Sequence, residues 1–421
     1  MPAENRASTN GNVATAMMIY MSAQNELAEK ARENIEDIKF NTNLDRMCLY
    51  IVEDTYDNTP DQSLARETFR YELPPAATKD DFKRKPGESE AVSDPGVFNR
   101  FLAQANAHFT HFGLSGTKQK ILILWGHGGG MVMLDEDKEK GTARARASIA
   151  DFVEVLETQK ELKFDIIAFD SCYMGVIEVM NQFREATSFT LVSSTVVDAD
   201  GYPYKKFIGD LKRHGGALEP KGAADLIAAC YNEHYKLLLP EEDRLLFICD
   251  MSEIKKCVDA LNKLGDEISK LLTPDATDDP VRVAIGEALI AAHADCAYVP
   301  VLMFLRKLGN QLASHEVLSL EELQVAMTAV SNAVETAFVG GKLDYSGYMP
   351  MSPLIWCPDN LGIFLRDQTD YNRLDSSNNG TGGWTKMWRK FHGAPEIRSI
   401  ETVIPGKFRL GLPKSVSFGL M

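Results

Sequence analysis

Six short blocks of apolar residues, separated by segments with helical periodicity, place the strongest limit on what this chain of 421 residues can fold into. The blocks are residues 14–21, 47–52, 121–125, 166–169, 189–193 and 245–249. Strands without polar alternation are typical of parallel sheets buried on both faces, and the helices between them are typical of crossover connections. We therefore predict a fold of the α/β class, with a mostly parallel six-stranded sheet and helices on both faces.

The pattern changes near residue 250, where strand blocks give way to apolar residues at helical spacing. These helical segments cover residues 254–272, 281–292 and 320–338. We predict an α/β domain over residues 1–250 and a mainly helical C-terminal region over residues 251–421 that packs on it. Within the first domain, residues 55–95 are polar and rich in proline, which is typical of a surface excursion with room for a local hairpin.

The charge balance argues against two classes of partner. The chain has 45 Lys and Arg against 60 Asp and Glu, which gives a net charge of −15. Such a surface repels a phosphate backbone and an anionic bilayer, so we expect no nucleic acid and no membrane among the partners. In addition, no apolar run reaches the ~18 residues of a membrane-spanning helix.

The distribution of the cysteines indicates a reducing compartment. All seven are spread along the chain without a Cys-x-x-Cys pair, which is not the pattern of a disulfide framework or a structural zinc site. Residues 1–13 lack the apolar core of a secretory signal. We therefore predict a cytoplasmic protein, whereas an apolar leader encoded upstream would indicate secretion.

Two of the predicted strands end in residues that can do chemistry. Residues 121–125 run into a glycine loop that contains His127, and residues 166–169 run into Asp170 and Cys172. Parallel strands present their carboxyl ends at one edge of a sheet, so the imidazole and the thiol are expected near each other. A helix beginning at Cys172 would favour the thiolate and would supply N–H groups for an oxyanion.

Each of these residues also has an ordinary structural interpretation. A single histidine after a strand is usually a loop residue, and most cysteines are small core side chains. The joint position of His127 and Cys172 at two strand ends favours a nucleophile with a base in reach. In this interpretation the backbone N–H groups of Gly128 and Cys172 hold the oxyanion.

The glycine loop fits two other kinds of site less well. The dinucleotide fingerprint G-x-G-x-x-G fails because Met131 and Met133 occupy its last position. Residues 127–130 read HGGG, an oxyanion motif of lipases and esterases, but no G-x-S-x-G motif accompanies it. The sequence therefore requires no cofactor, and a thiol esterase stays open as a remote alternative.

Other polar residues near these strands have less specific interpretations. Asp170, two residues before the nucleophile, is suited either to a hydrogen-bonded loop or to a substrate pocket for a Lys or Arg side chain. Asp165 at the start of the same strand is best read as a strand-start residue. His108 and His111 have a spacing that suits a metal, but without further ligands in the sequence nearby a helix surface is favoured.

The residues around His127 and Cys172 resemble the two signature blocks of the clostripain-like cysteine peptidases, relatives of caspases, gingipains, legumains and separase. The similar blocks are residues 121–130 and 164–175. Weaker similarity covers residues 18–38, 194–204 and 361–364, followed by Trp384 and Trp388. Gly126 is a departure, because Asp usually precedes the histidine in this family.

The resemblance implies a caspase-like sheet, a dyad of His127 and Cys172, and cleavage after basic residues that Asp170 recognises. It also implies autoprocessing in the loop of residues 135–147, and it allows a calcium requirement. The candidate processing residues are Lys138, Lys140, Arg144 and Arg146.

These observations together predict a cysteine endopeptidase that cleaves after Arg or Lys. Its partners would be a protein or peptide substrate and an activating partner. The alternative is a caspase-like binding or regulatory module that is catalytically latent or inactive.

Overall fold

A computed structural model of the chain describes residues 13–41, 44, 46–56, 66–87, 91–113, 119–136, 145–214, 218–239, 246–273, 276, 278–292, 298–317, 321–339, 352–358, 371, 373–374 and 382–393. Its strands are β1 (Thr15–Ser22), β2 (Met47–Tyr56), β3 (Arg66–Leu73), β4 (Lys85–Pro86), β5 (Gln119–Trp125), β6 (Val132–Glu136), β7 (Ala145–Ser148), β8 (Phe164–Asp170), β9 (Thr187–Val192), β10 (Phe247–Asp250), β11 (Tyr298–Pro300), β12 (Phe338–Val339) and β13 (Leu354–Trp356). Its helices are α1 (Ala28–Phe40), α2 (Pro95–His111), α3 (Ile149–Thr158), α4 (Ile177–Met180), α5 (Tyr204–Arg213), α6 (Pro220–Tyr235), α7 (Ile254–Leu271), α8 (Pro280–Ala291), α9 (Val301–Ser314), α10 (Glu321–Ala337) and α11 (Gly383–His392). The predicted similarity at residues 361–364 lies outside the described residues.

The central sheet confirms the predicted α/β class. Its strand order is β12-β10-β9-β8-β5-β1-β2-β3-β4, and the neighbours from β9 to β2 are all parallel. Side chains alternate between its two faces, so Met17 and Ile19 of β1 pack on one side while Met18 and Tyr20 pack on the other. This double burial explains why the sequence of these strands is apolar throughout.

The sheet has nine strands, three more than predicted. Two of them, β3 and β4, come from residues 55–95: β3 pairs antiparallel with β2, and β4 pairs antiparallel with β3 at the edge of the sheet. The third, β12, lies in the C-terminal region and pairs antiparallel with β10. The prediction allowed a local hairpin in residues 55–95 but did not add these strands to the sheet, because β3 mixes charged and apolar residues and the other two contain only two residues each.

Helices cover both faces of the sheet. One face packs against α1, α5 and α6, and its apolar residues form one continuous core. The other face packs against α2, α3 and the helices that follow residue 250. The three helices predicted after residue 250 correspond to α7, α8 and α10, whereas α9 and α11 were not predicted.

The C-terminal region also carries the pair β11–β13, a two-stranded antiparallel sheet apart from the central one. Within the part of the chain that the structure describes, no helix combines the length and the apolar character needed to cross a membrane.

Candidate active site

The register of the sheet brings the two predicted catalytic residues to one edge. β5 and β8 are parallel neighbours, and Trp125 pairs with Asp170 at their carboxyl ends. The N–H of Gly126 donates to the Asp170 carbonyl at 3.2 Å, which continues the pairing one residue further. His127 and Cys172 therefore leave the sheet side by side, as parallel topology requires.

The loop after β5 needs glycine for two different reasons. Gly126 has φ of 141°, a conformation that side chains disfavour, and a Cβ there would lie 3.0 Å from the Ser22 carbonyl oxygen. Gly128 is pressed against the segment that carries the nucleophile: a Cβ there would meet the Cys172 carbonyl oxygen and would lie 2.9 Å from the Cβ of Ser171. The glycines let the histidine loop pack directly on the cysteine loop.

The imidazole of His127 has a carboxylate neighbour that the sequence did not reveal. Its Nε2 lies 3.0 Å from Oε1 of Glu26, a side chain from the segment between β1 and α1. A carboxylate at this distance is placed to pair with the imidazolium that forms during catalysis, as a third group beside a nucleophile and base does, although Nε2 makes no hydrogen bond among the described residues. No sequence signal marks Glu26, because it is one of many surface acids in the chain.

Cys172 does not begin a helix, which corrects the prediction. The helix that follows it, α4, starts at Ile177 and contains only four residues. Cys172 instead lies in a turn, and the next residue, Tyr173, has φ of 56°. Backbone strain of this kind is held in place only by surrounding contacts, and one of these is the hydrogen bond from the Tyr173 N–H to the Thr195 carbonyl at 3.0 Å.

The thiol of Cys172 is engaged by the backbone of Val197. The Val197 N–H donates to Sγ at 3.3 Å, and Sγ lies 3.7 Å from the Val197 carbonyl oxygen. Burial raises the pKa of this thiol, the Val197 N–H lowers it, and the charge of Asp170 raises it. The net pKa is raised, so the resting group is a thiol and a base must take its proton before it can attack.

Two backbone donors beside the thiol are available for an oxyanion. Within the described residues, the Gly128 N–H donates no hydrogen bond to a protein acceptor, and the Cys172 N–H is directed only at the thiol of its own residue. Gly128 faces Met133 across a bridge whose hydrogen bonds are made by the flanking residues instead. Free N–H groups at this edge are what a developing oxyanion requires.

Asp170 is buried beneath the segment that leads into α5. Its Oδ2 accepts hydrogen bonds from the Tyr202 N–H at 3.0 Å and the Tyr204 hydroxyl at 2.9 Å. Burial raises the pKa of Asp170 to about 7, although both hydrogen bonds lower it. Its Oδ1 accepts no hydrogen bond from the described residues. A Cβ at Gly201 would lie 2.8 Å from Oδ2, so glycine there keeps the space beside the carboxylate open.

Of the remaining candidates, those that the structure describes do not join this site. Lys138, Lys140 and Arg144 lie outside the described residues, and Arg146 belongs to β7, which pairs with β6. Asp165 accepts the Lys120 N–H at 2.7 Å at the opposite end of β8. The Nε2 of His108 lies 3.5 Å from the Leu73 carbonyl oxygen, on α2.

Across the described ranges, no three His, Cys, Asp or Glu side chains converge on a point where a metal ion could bind.

A parallel sheet with a histidine and a cysteine at the ends of two adjacent strands is the architecture of the caspase-like cysteine peptidases. The model of the clostripain family matches residues 19–301, well over half of the chain. The chain belongs to the clostripain family, a family of cysteine endopeptidases.

One curated relative and two solved structures are similar to the chain. Clostripain from Hathewaya histolytica is 25% identical over 254 residues, which cover 50% of this chain and 44% of that protein. The chain thus spans less than half the length of this relative. An inactive zymogen C11 protease from Parabacteroides distasonis has a TM-score of 0.58 and 17% identity, over 87% of this chain and 98% of that one. A secreted C11 cysteine protease from Bacteroides thetaiotaomicron, in complex with an irreversible peptide inhibitor, has a TM-score of 0.55 and 15% identity, over 87% and 99%. Both structures share the fold.

Proposed function

We propose that the chain is a cysteine endopeptidase that hydrolyses peptide bonds after Arg or Lys. The observation that carries the proposal is the side-by-side exit of His127 and Cys172 from paired strands, beside the backbone N–H groups of Gly128 and Cys172, in a member of the clostripain family.

In the proposed reaction, His127 takes the proton of the Cys172 thiol and Sγ attacks the scissile carbonyl carbon. The carbonyl oxygen becomes an oxyanion, which the N–H groups of Gly128 and Cys172 bind. The imidazolium then gives its proton to the leaving amine as the C–N bond breaks, which leaves a thioester. His127 then deprotonates a water molecule, which attacks the thioester carbonyl and releases the carboxylic acid. The imidazolium returns its proton to the Cys172 thiolate.

Asp170 is the group that we propose to receive the basic side chain. The arrangement supports this because one carboxylate oxygen is held by tyrosine and backbone donors while the other accepts no hydrogen bond from the described residues. A Lys or Arg side chain that reaches Oδ1 would ionise the buried acid and form a charge-assisted hydrogen bond.

The alternative function, a latent or inactive binding module, has one observation in its favour. The Cys172 thiol contacts the Val197 backbone and its pKa is raised, so the resting chain is not poised for attack. Val197 would have to give way to a substrate carbonyl. Latency relieved by an activating partner or by cleavage accounts for this state without excluding catalysis.

Autoprocessing is the activation step that we propose. The loop that contains Lys138, Lys140 and Arg144 joins β6 to β7, and β6 follows directly from the His127 loop. Cleavage in this loop would release the covalent link between the two strands of this hairpin, and cleavage after Arg146 would cut β7 itself. We expect such a change to reach the histidine, because the Leu134 N–H of β6 donates to the His127 carbonyl at 2.8 Å.

The experiment uses fluorogenic peptides that end in Arg, Lys, Asp or Leu. The intact chain, Cys172→Ala and Asp170→Asn would be assayed with calcium and with a chelator, and each sample would be checked for chain fragments. Turnover after Arg or Lys that is lost in Cys172→Ala, with basic preference lost in Asp170→Asn, supports the proposal. Turnover that survives in Cys172→Ala refutes the mechanism. If neither the intact nor the cleaved chain turns over any peptide, the result favours the binding module.

We also propose a cytoplasmic location. It is supported by the cysteines of the described residues, which are all free thiols. Fractionation of the native cells tests this, and recovery of the protein from the culture medium would refute it.

A further inference from the structure

The histidine loop is held at its tip by a tyrosine from the C-terminal region. The N–H of Met131 donates to the hydroxyl oxygen of Tyr298 at 3.2 Å. The ring of Tyr298 lies so close to Gly130 that a Cβ there would be 2.5 Å from its Cζ atom. Gly130 has φ of 73°, so the loop bends sharply where the ring contacts it.

The other side of Met131 is anchored as well. Its carbonyl accepts the N–H of Ile149, the first residue of α3, at 3.1 Å. With Tyr298 on the N–H and Ile149 on the carbonyl, the backbone of Met131 has little freedom to move. Since Met131 lies four residues after His127 and three after Gly128, this anchor limits the positions of the proposed base and one oxyanion donor.

The same two-stranded sheet also holds the cysteine loop. Tyr298 is in β11, and its partner in register is Trp356 of β13. The Leu354 N–H donates to the Gly175 carbonyl at 2.7 Å, three residues after Cys172. The Trp356 N–H donates to Oε1 of the buried Glu178 at 3.1 Å. One rigid unit thus contacts the segments that follow both catalytic residues.

We propose that the β11–β13 pair is a brace for the two catalytic loops, and that Tyr298 is the positioning residue that acts on the His127 side. This inference rests on the proposed peptidase function. Among the described residues, no hydrogen bond or ring contact joins Tyr298 to the Cys172 thiol or the His127 imidazole, so we infer that it acts by fixing where the histidine loop stands relative to the cysteine loop.

The test compares Tyr298→Phe, which removes only the hydroxyl, with Tyr50→Phe as a matched control. The Tyr50 hydroxyl donates to Gln104 at 2.9 Å, on a strand two places away from β5, so this variant loses a similar hydrogen bond outside the site. We expect kcat on a Lys or Arg peptide to fall about 5- to 10-fold in Tyr298→Phe with KM unchanged within about twofold. We expect both values to stay unchanged in Tyr50→Phe, with similar thermal midpoints for the two variants.

Two further readouts do not depend on peptidase turnover. Hydrogen exchange of the Met131 amide should accelerate about fivefold or more in Tyr298→Phe. The rate at which iodoacetamide alkylates Cys172 at pH 7 should fall by a similar factor, because a displaced imidazole takes the thiol proton less well. In Tyr298→Ala the ring contact with Gly130 is absent. Adding Gly130→Ala to Tyr298→Ala should therefore lower kcat by a smaller factor than Gly130→Ala does in the wild-type chain.

These measurements separate the brace from the proposed function. A wild-type chain that cleaves no peptide in any form refutes the function, and the alkylation rates then decide whether Tyr298 positions the loop. Unchanged Met131 exchange in Tyr298→Phe overturns the brace. Faster exchange with unchanged kcat and alkylation overturns the positioning role.

Discussion

Replacing Gly128 by alanine should abolish most of the activity without unfolding the chain. The Cβ of Gly128→Ala would lie 2.9 Å from the Ser171 Cβ and 3.0 Å from the Met174 sulfur, and it would also meet the Cys172 carbonyl oxygen. Carbon atoms in contact sit about 3.5–4.0 Å apart, so the two loops must separate by roughly 0.6–1 Å. Ser171 and the Cys172 backbone cannot rotate away as the end of a long side chain would.

This separation would increase the distance between the loop of His127, the proposed base, and the loop of Cys172, the nucleophile. A misplacement of about 1 Å in a catalytic constellation can cost on the order of a hundredfold in rate, or roughly 2.7 kcal/mol of transition-state stabilisation. We therefore expect kcat/KM on a Lys or Arg peptide to fall about 100-fold in Gly128→Ala, mainly through kcat.

The chain offers a matched control in the next residue. A Cβ at Gly129 would have its nearest neighbour, in the Val132 side chain, at 3.6 Å, which is an ordinary contact. Gly129→Ala should therefore keep kcat/KM within about threefold of the wild-type value, because the substitution needs no displacement of either loop. Steady-state kinetics of both variants, with circular dichroism and thermal midpoints to verify folding, make the comparison. Equal activity of the two variants would refute the argument that close packing of these loops positions the dyad.

Two further predictions follow from the buried acids. Burial raises the pKa of Glu178 from 4.5 to about 7, so wild-type stability should decrease as pH rises from about 4.5 to about 7, and Glu178→Gln should be more stable than wild type above pH 7 by about 3 kcal/mol. Urea unfolding at pH 5 and pH 8 measures this, and an identical difference between the proteins at both pH values would contradict it. The Tyr204 hydroxyl lowers the pKa of Asp170, so Tyr204→Phe should raise it further above about 7 and shift the binding of Lys or Arg substrates to higher pH. The pH profile of kcat/KM for a Lys peptide tests this, and a profile that does not move would contradict the pocket assignment.

The sequence predicted the parts of the fold that depend on local patterns. The blocks that became β1, β5 and β8 are apolar throughout, because both faces of each strand are buried, and this pattern is visible without knowledge of the fold. The position of His127 and Cys172 at adjacent strand ends followed from parallel topology alone. The strand β3 was missed because it lies near the edge of the sheet and mixes charged with apolar residues.

The local conformation of the site could not be predicted in the same way. Residues 172–183 have helical periodicity, but the turn at Tyr173 and the pairing of Val176 with Leu354 delay the helix to Ile177. Val176 and Leu354 are separated by 178 positions in the chain. The contacts of Glu26 with His127 and of Tyr298 with the glycine loop likewise depend on how distant segments meet, and no pattern within either segment encodes them.

The most direct test of the central claim is to find which cysteine a peptide inhibitor labels. The chain would be incubated with a peptide acyloxymethyl ketone that ends in Lys, digested, and mapped by mass spectrometry, with Cys172→Ala and a probe ending in Asp as controls. The proposed mechanism predicts one covalent label per chain, on Cys172, that is absent in Cys172→Ala and much slower with the acidic probe. A label distributed over other cysteines, or one that reaches Cys172 equally fast from both probes, would contradict a Cys172 nucleophile served by a pocket for basic side chains.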